Sequence, residues 1–210
     1  MIRFYFSFRS PYAWLGFHRI SRLLRDRPLE IEYIPLVPPR EFVEKKEISP
    51  KKQAYIAEDV KRFAAAYGLP LRWPSPFDTV WERPHAAYLY AQDRGAGPAL
   101  GMAAYKTRFS EGRDISDVSV LRDLARRTGI DEERLLEATD DPLLHARLKE
   151  GAAQAQADGV FGVPFFVYRG RHYWGNDRIE WLLRDIQRDA GRGVVDLTED
   201  PFGYPMAENS

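Results

Sequence analysis

The stretch that decides the fold is residues 2–16, which read IRFYFSFRSPYAWLG. Apolar side chains occupy every second position from Ile2 to Phe8, and Tyr5 adds an aromatic ring on the opposite face. Aromatic and β-branched residues on both faces are typical of a strand that helices cover on both sides. These residues therefore predict a buried strand at the start of the chain.

A helix is predicted to begin directly after this strand, at Ser10 and Pro11. Ser10 can accept hydrogen bonds from the first free N–H groups of the helix, and Pro11 needs no N–H partner there. Apolar residues at helical spacing continue over residues 12–27, with Arg19 on the polar side. The same junction offers a hydroxyl and N–H groups to a bound anion, including a thiolate. Ser10 is thus a candidate for binding as well as for capping.

The rest of the chain predicts a second strand, a long helical part and a final β-β-α unit. Residues 29–34 alternate as a strand, and Pro28 is expected to stop the helix before it. Residues 40–159 show almost no strand pattern and contain several segments with helical spacing. Residues 163–174 form a predicted hairpin that turns at Arg169-Gly170, and a helix follows.

This order, β-α-β, helices, β-β-α, predicts an α/β fold with a thioredoxin-like sheet and a large all-helical insertion. We expect a discontinuous thioredoxin-like domain formed by residues 1–39 and 160–190. Residues 40–159 would form a helical insertion domain, and residues 191–210 a C-terminal tail over the surface.

Composition narrows the classes of function. The chain of 210 residues has 31 basic and 31 acidic residues, so no net charge draws it to nucleic acid or to an anionic membrane. Cysteine is absent, which excludes a disulfide, a thiolate metal site and a cysteine nucleophile. The four histidines have no metal-ligand spacing. No signal peptide or membrane span is evident, so we expect a cytoplasmic protein without a metal.

Three segments resemble 2-hydroxychromene-2-carboxylate isomerases, which belong with kappa-class glutathione transferases and DsbA-like proteins. They are FYFSFRSPYAWLG near the start, and GVFGVPFF and WGNDRIEWL near the end. The segment PKKQAY, which begins at Pro50, resembles the P-x-K-x-x-Y helix start of that family. The resemblance covers residues 1–188. It implies a glutathione-assisted cis–trans isomerisation, in which a thiolate adds to a conjugated double bond, the bond rotates and the thiol leaves.

The resemblance also implies roles for individual residues. Ser10 matches the active-site serine, which would stabilise the thiolate of glutathione or of another low-molecular-weight thiol. Val163 and Pro164 match a loop with a cis-proline, whose backbone pairs with the cysteinyl part of glutathione. Asn176 and Asp177 match the residues that hold its γ-glutamyl end.

Three further residues are candidates for the substrate side. Lys52 matches a lysine near the substrate, and a cation at the less favourable end of a helix hints at a carboxylate ligand. Trp81 and His85 lie around a predicted helix start and could line the site. A solvated pair explains Lys51 and Lys52 at least as well. Core packing is the commoner role of a tryptophan such as Trp81, and a structural or surface role explains His85. Asp177 with Glu180 likewise matches a capping box.

The resemblance implies a small aromatic or electrophilic substrate, as in aromatic degradation, and a homodimer. A kappa-class-like glutathione transferase acting on another electrophile remains an alternative. A redox-inactive thioredoxin-fold protein that binds peptides or partners without chemistry is a second one. A disulfide oxidoreductase is excluded, because that reaction needs cysteine in the protein.

Overall fold

The computed structural model describes residues 1–26, 29–40, 43 and 48–191. Within them lies one sheet, whose strands follow the order β2-β1-β3-β4. The strands are β1 (Ile2–Phe6), β2 (Ile31–Pro35), β3 (Phe165–Tyr168) and β4 (Arg171–Trp174). β1 pairs with β2 in parallel and with β3 antiparallel, and β3 and β4 form the predicted hairpin.

The described residues contain α-helices between and after these strands. They are α1 (Pro11–Asp26), α2 (Pro50–Ala66), α3 (Glu82–Gln92), α4 (Gly97–Phe109), α5 (Val118–Thr128), α6 (Glu132–Thr139), α7 (Pro142–Ala157) and α8 (Ile179–Asp189). A short 3-10 helix, Asn176–Arg178, precedes α8. Because α1 joins the parallel pair and α2 to α7 lie between β2 and β3, the thioredoxin-like sheet with a helical insertion is confirmed. The division into separate domains stays a prediction.

The observed ends of the elements differ slightly from the predicted ones. β2 extends to Pro35, which lies on an edge strand where a missing N–H removes no ladder hydrogen bond. β3 begins at Phe165, after the loop that contains Pro164. The predicted stop at Pro28 and the tail beyond Gly191 lie outside the described residues.

β1 is buried on both faces, as its sequence predicts. On one face the ring of Phe4 stacks on that of Phe166, with centroids 4.5 Å apart. On the other face Tyr5 lies in a cluster with Ile34 and Val167. Burial on both sides fixes the end of β1, and so fixes the loop that carries Ser10.

The helical insertion packs closely against α1. A Cβ atom placed on Gly101 of α4 would lie 2.4 Å from Cζ of the Phe17 ring, so only glycine allows this approach. The helices of the insertion are thereby held beside the helix that Ser10 starts. None of the helices in the described residues has the length and apolar character needed to cross a membrane.

Candidate functional site

Ser10 lies between β1 and α1 and connects two distant segments of the chain. Its Oγ accepts a hydrogen bond from the Ala13 N–H at 3.1 Å, which confirms the predicted cap. The same hydroxyl donates to the carbonyl of Val163 at 3.2 Å, across 153 residues of sequence. The start of α1 and the loop before β3 therefore meet at this one side chain.

The Val163-Pro164 peptide bond is cis, as predicted. A Cβ atom on Gly16 would lie 3.1 Å from the Pro164 ring, so the backbone of α1 packs directly on the proline. The Pro164 carbonyl accepts a hydrogen bond from the Gly175 N–H at 3.0 Å. The proline loop is thus held between α1 and the segment that leads to Asn176.

Asn176 is the buried centre of the next part of the site, with only 2% of its surface exposed. Its carbonyl accepts a hydrogen bond from Nη1 of Arg19 at 2.5 Å. Its side-chain amide donates to the hydroxyl of Tyr67 at 3.4 Å. Arg19 also forms an ion pair with Glu180. Helices α1, α2 and α8 therefore converge on Asn176. We use the name seam for the residues that meet here, which are Ser10, Arg19, Tyr67, Val163, Pro164, Asn176 and Glu180.

Asp177 is exposed and lies beside this seam, where it forms an ion pair with Arg178 at 2.6 Å. Gly175 precedes it with a φ of 114°, and a Cβ there would lie 2.5 Å from Oδ1 of Asp177. Glycine is therefore required for the turn that presents Asn176 inward and Asp177 outward.

The predicted capping box at Asp177 and Glu180 is wrong. Asp177 belongs to the 3-10 helix, and Glu180 is paired with Arg19 instead. α8 begins without a side-chain hydrogen bond to its first N–H groups.

A cavity of about 360 Å³ lies beside the seam. It is lined by charged and aromatic side chains, which are Arg19, Phe63, Tyr67, Asp177, Glu180, Trp181 and Arg184. Because the walls carry both signs of charge, the cavity is suited to a ligand with an ammonium and a carboxylate group.

His85 lies beneath the loop that leads to Ser10 and is fully buried. Its Nδ1 lies 2.6 Å from the Trp81 carbonyl, which can only accept, so Nδ1 carries the proton. Nε2 then accepts from the N–H of Phe8 at 3.2 Å. Burial lowers the pKa of His85 to about 4, so the ring is neutral at pH 7. His85 therefore holds Phe8, two residues before Ser10.

Lys52 is exposed near the start of α2, where Ser49 caps the helix by accepting the Lys52 N–H at 3.3 Å. No hydrogen bond or ion pair joins Lys52 to Ser10 among the described residues. α2 contacts the start of α1 through Asp59, which accepts from the Tyr12 hydroxyl at 2.8 Å. Seven residues of helix separate Lys52 from Asp59, a rise of about 10 Å.

Trp81 is buried, and its ring centroid lies 4.6 Å from the guanidinium of Arg108. The structure thus places Trp81 and His85 next to each other, behind the loop before Ser10. Burial and the hydrogen bond to Asp59 raise the pKa of Tyr12 above its usual range, so Tyr12 stays a neutral donor. No group of three or more metal-ligating side chains occurs in the part of the chain that the structure describes.

Sequence reasoning missed Arg19, Tyr67 and Arg108. Arg19 looks like part of a polar helix face, and only the pairing with Asn176 and Glu180 reveals its burial. Tyr67 follows the last turn of α2 and has no motif around it. Arg108 is surrounded by aromatic rings that come from separate segments.

Comparisons with known proteins identify the family of the chain and agree with its fold. The family model of the DSBA-like thioredoxin domain matches residues 1–187. A 2-hydroxychromene-2-carboxylate isomerase of Sphingobium xenophagum is 32% identical over 189 residues, covering 86% of this chain and 95% of the relative. Human glutathione S-transferase kappa 1 is 24% identical and covers 86% of this chain and 88% of the relative. The solved structure of a 2-hydroxychromene-2-carboxylate isomerase, 25% identical, superimposes with a TM-score of 0.80 over 90% of this chain and 98% of that one.

Proposed function

This chain belongs to the DSBA-like thioredoxin domain family, in the group of 2-hydroxychromene-2-carboxylate isomerases and kappa-class glutathione transferases, and we propose that it is a glutathione-dependent cis–trans isomerase. The named relatives support an enzyme of the isomerase or glutathione transferase type. The observation that carries the proposal is the hydrogen bond from Ser10 to the Val163 carbonyl. It brings a hydroxyl at a helix start to the backbone of the loop before β3.

Ser10 acts as a hydrogen-bond donor rather than as a nucleophile. Its hydroxyl can turn from the Val163 carbonyl to a bound sulfur, and the start of α1 favours an anion there. The chain has no cysteine, so the sulfur must come with the ligand. When bound, glutathione supplies a thiolate that adds reversibly to a conjugated double bond and so permits rotation about it.

The remaining residues of the seam fit a γ-glutamyl peptide. The backbone of Val163 is suited to pair with an extended peptide, as in strand addition. Asn176 supplies an amide, and the exposed carboxylate of Asp177 is suited to an ammonium group.

The substrate side is assigned to Lys52 and Trp81, with a small aromatic or electrophilic molecule as substrate. His85 is a positioning residue, because it acts on Ser10 through the Phe8 N–H. We further propose a homodimer in the cytoplasm, where glutathione is kept reduced.

A kappa-class-like glutathione transferase is the second candidate, which the match to the human kappa enzyme favours. Both reactions use the same thiolate and differ in whether the thiol leaves again. Product analysis separates them, since an isomerase returns glutathione and a transferase leaves a conjugate.

The experiment is to add 2-hydroxychromene-2-carboxylate to the purified protein with and without glutathione. Turnover should require glutathione, and Ser10→Ala should lower kcat/KM by about a hundredfold, as loss of a donor to a developing anion does. Ser49→Ala is the matched control, because Ser49 caps α2 before a proline in the same way. Turnover without glutathione, or turnover unchanged in Ser10→Ala, contradicts the proposal. Absence of both turnover and glutathione binding points to a binding protein instead.

A further inference from the structure

Arg108 of α4 is fully buried among aromatic rings. Its Cζ lies 5.1 Å from the ring centroid of Phe77, 4.6 Å from Trp81 and 5.1 Å from Phe109. One Nη2 hydrogen bond, to the Phe77 carbonyl at 2.5 Å, satisfies part of the guanidinium. Nε and Nη1 of Arg108 and Nε1 of Trp81 have no hydrogen-bond partner within the described chain. Since buried donors are nearly always paired, this group of N–H donors requires an explanation.

The carboxylates near Arg108 are bound to other groups. Both oxygens of Asp78 accept from Arg9, at 2.6 and 3.2 Å. Oδ1 of Asp114 accepts from the hydroxyl of Thr79 at 2.7 Å. No ion pair to Arg108 occurs among the described residues. Burial lowers the pKa of Arg108 to about 10, so it still carries its charge at neutral pH. The cluster thus offers a positive charge without a carboxylate partner, and its only acceptor among the described residues is the Phe77 carbonyl.

This cluster adjoins the start of α1. Arg9, the residue before Ser10, lies with its Cζ 5.3 Å from the centroid of the same Phe77 ring. Trp14, one turn into α1, stacks on Phe109 with centroids 5.4 Å apart and an interplanar angle of 22°. The aromatic walls are suited to a planar ring system, and the N–H donors are suited to an anionic group on it.

Residues 69–80 cover the cluster and contain no helix or strand. They are anchored by the Arg72 N–H, which donates to the Phe109 carbonyl at 2.7 Å, and by the Thr79 hydroxyl. Between these anchors Trp73 is 38% exposed and Phe77 is half-buried. Because Arg108 is fully buried, a ligand would have to displace Phe77, whose carbonyl is bound to Arg108 by one hydrogen bond, in order to reach it.

We propose that Arg108 and Trp81 form a subsite for the carboxylate of a planar aromatic acid, with the charge on Arg108 and a further hydrogen bond from the Trp81 indole. This subsite rests on the proposed function, because it assigns the substrate end that the thiolate does not contact. It also assigns the substrate's carboxylate to Arg108 rather than to Lys52. The two lysines at the start of α2, Lys51 and Lys52, are exposed and lie on another helix.

The experiment titrates the protein with 2-naphthoate and with the neutral 2-naphthamide by calorimetry, in the absence of glutathione. Wild type should bind the acid about ten- to a hundredfold more tightly than the amide, as expected for charge-assisted hydrogen bonds. Arg108→Met and Arg108→Lys should reduce this preference, since lysine keeps the charge but lacks the planar fork. Trp81→Phe should weaken acid binding severalfold, and by more than it weakens amide binding, because the hydrogen bond to the charged carboxylate is the stronger one. Arg126→Gln, on the exposed face of α5, is the control.

A second readout is the indole N–H resonance of Trp81, which is one of five tryptophans and is identified by its loss in Trp81→Phe. Naphthoate should shift this resonance in wild type and shift it less in Arg108→Lys at the same ligand concentration. If Arg108→Met does not fold, the variants Arg108→Lys and Trp81→Phe still test whether the subsite binds the carboxylate.

Equal binding of acid and amide, no binding of naphthoate, or loss of binding in Lys52→Met alone would overturn the subsite. Glutathione binding, measured in a separate titration, distinguishes a failure of the proposed subsite from a failure of the proposed isomerase function. Naphthoate binding through Arg108 without any glutathione binding would sustain the subsite and reject the proposed isomerase.

Discussion

Two buried arginines, Arg19 in the seam and Arg108 in the helical insertion, have opposite surroundings. Arg19 is 4% exposed, donates to the Asn176 carbonyl and is paired with Glu180. Arg108 is fully buried and has ring faces around it, but no carboxylate on its N–H groups. A carboxylate partner offsets much of the desolvation cost of a buried cation, whereas a buried cation without such a partner lowers the stability of the folded chain. The buried cation of the seam therefore has a carboxylate partner among the described residues, and the buried cation of the Arg108 cluster does not.

Arg19→Met is expected to have the largest effect on stability. Removing Arg19 leaves the partly exposed Glu180 without its cation and the buried Asn176 carbonyl without its donor, which together cost about 3 kcal/mol. Urea unfolding of the variant and of wild type measures the difference. Arg134→Met is the control, because the Arg134–Glu137 pair on α6 is exposed and contributes little. A loss below about 1 kcal/mol would show that Arg19 does not hold the seam together.

His85 is expected to make the protein lose stability in mild acid. Its pKa is 6.5 when unperturbed and about 4 in the folded protein, so between these values the unfolded chain binds the extra proton. The contribution of His85 to the free energy of unfolding is therefore fully present above pH 6.5, and it falls by about 3 kcal/mol as the pH drops to 4.

Urea unfolding at several pH values tests this difference. His85→Gln should remove that part of the pH dependence, and His172→Gln, at an exposed position on β4, should keep it. Identical pH profiles for wild type and His85→Gln would mean that His85 is not buried as a neutral ring.

Arg108→Met is expected to have the smallest effect on stability. An apolar side chain of similar length removes the N–H donors that lack partners, keeps the packing against the rings, and loses the bond to the Phe77 carbonyl and the cation–π contacts. The free energy of unfolding should therefore stay within about 1 kcal/mol of wild type. The same urea experiment measures it. A loss as large as that of Arg19→Met would mean that Arg108 has partners of equal strength, and the contrast between the two arginines would disappear.

The fold could be predicted because its signals are local. The alternation of β1, the Ser10-Pro11 start of α1 and the Arg169-Gly170 turn each follow from backbone chemistry at consecutive residues. In the structure Ser10 caps α1, and Arg169 and Gly170 have the positive φ angles that such a hairpin turn requires. The cis peptide before Pro164 was implied by family motifs, not by local chemistry.

The parts of the site that the sequence predicts wrongly or does not predict depend on contacts between segments that are distant in sequence. The spacing of Asp177 and Glu180 predicts a capping box, but Arg19, far away in sequence, binds Glu180 instead. Arg108 shows the same limit. An arginine within a helix is normally exposed, because charged side chains are seldom buried, and only the packing of separate aromatic residues reveals that this one is enclosed.

The most direct measurement of the central claim is the pKa of the glutathione thiol bound to the protein, followed by the ultraviolet absorbance of the thiolate as the pH is raised. With Ser10 as donor, the bound thiol in wild type should titrate about one unit or more below the free value of about 8.5. Ser10→Ala should return it towards that value, and Ser49→Ala should leave it as in wild type. The same thiol pKa in wild type and Ser10→Ala would contradict the role of Ser10.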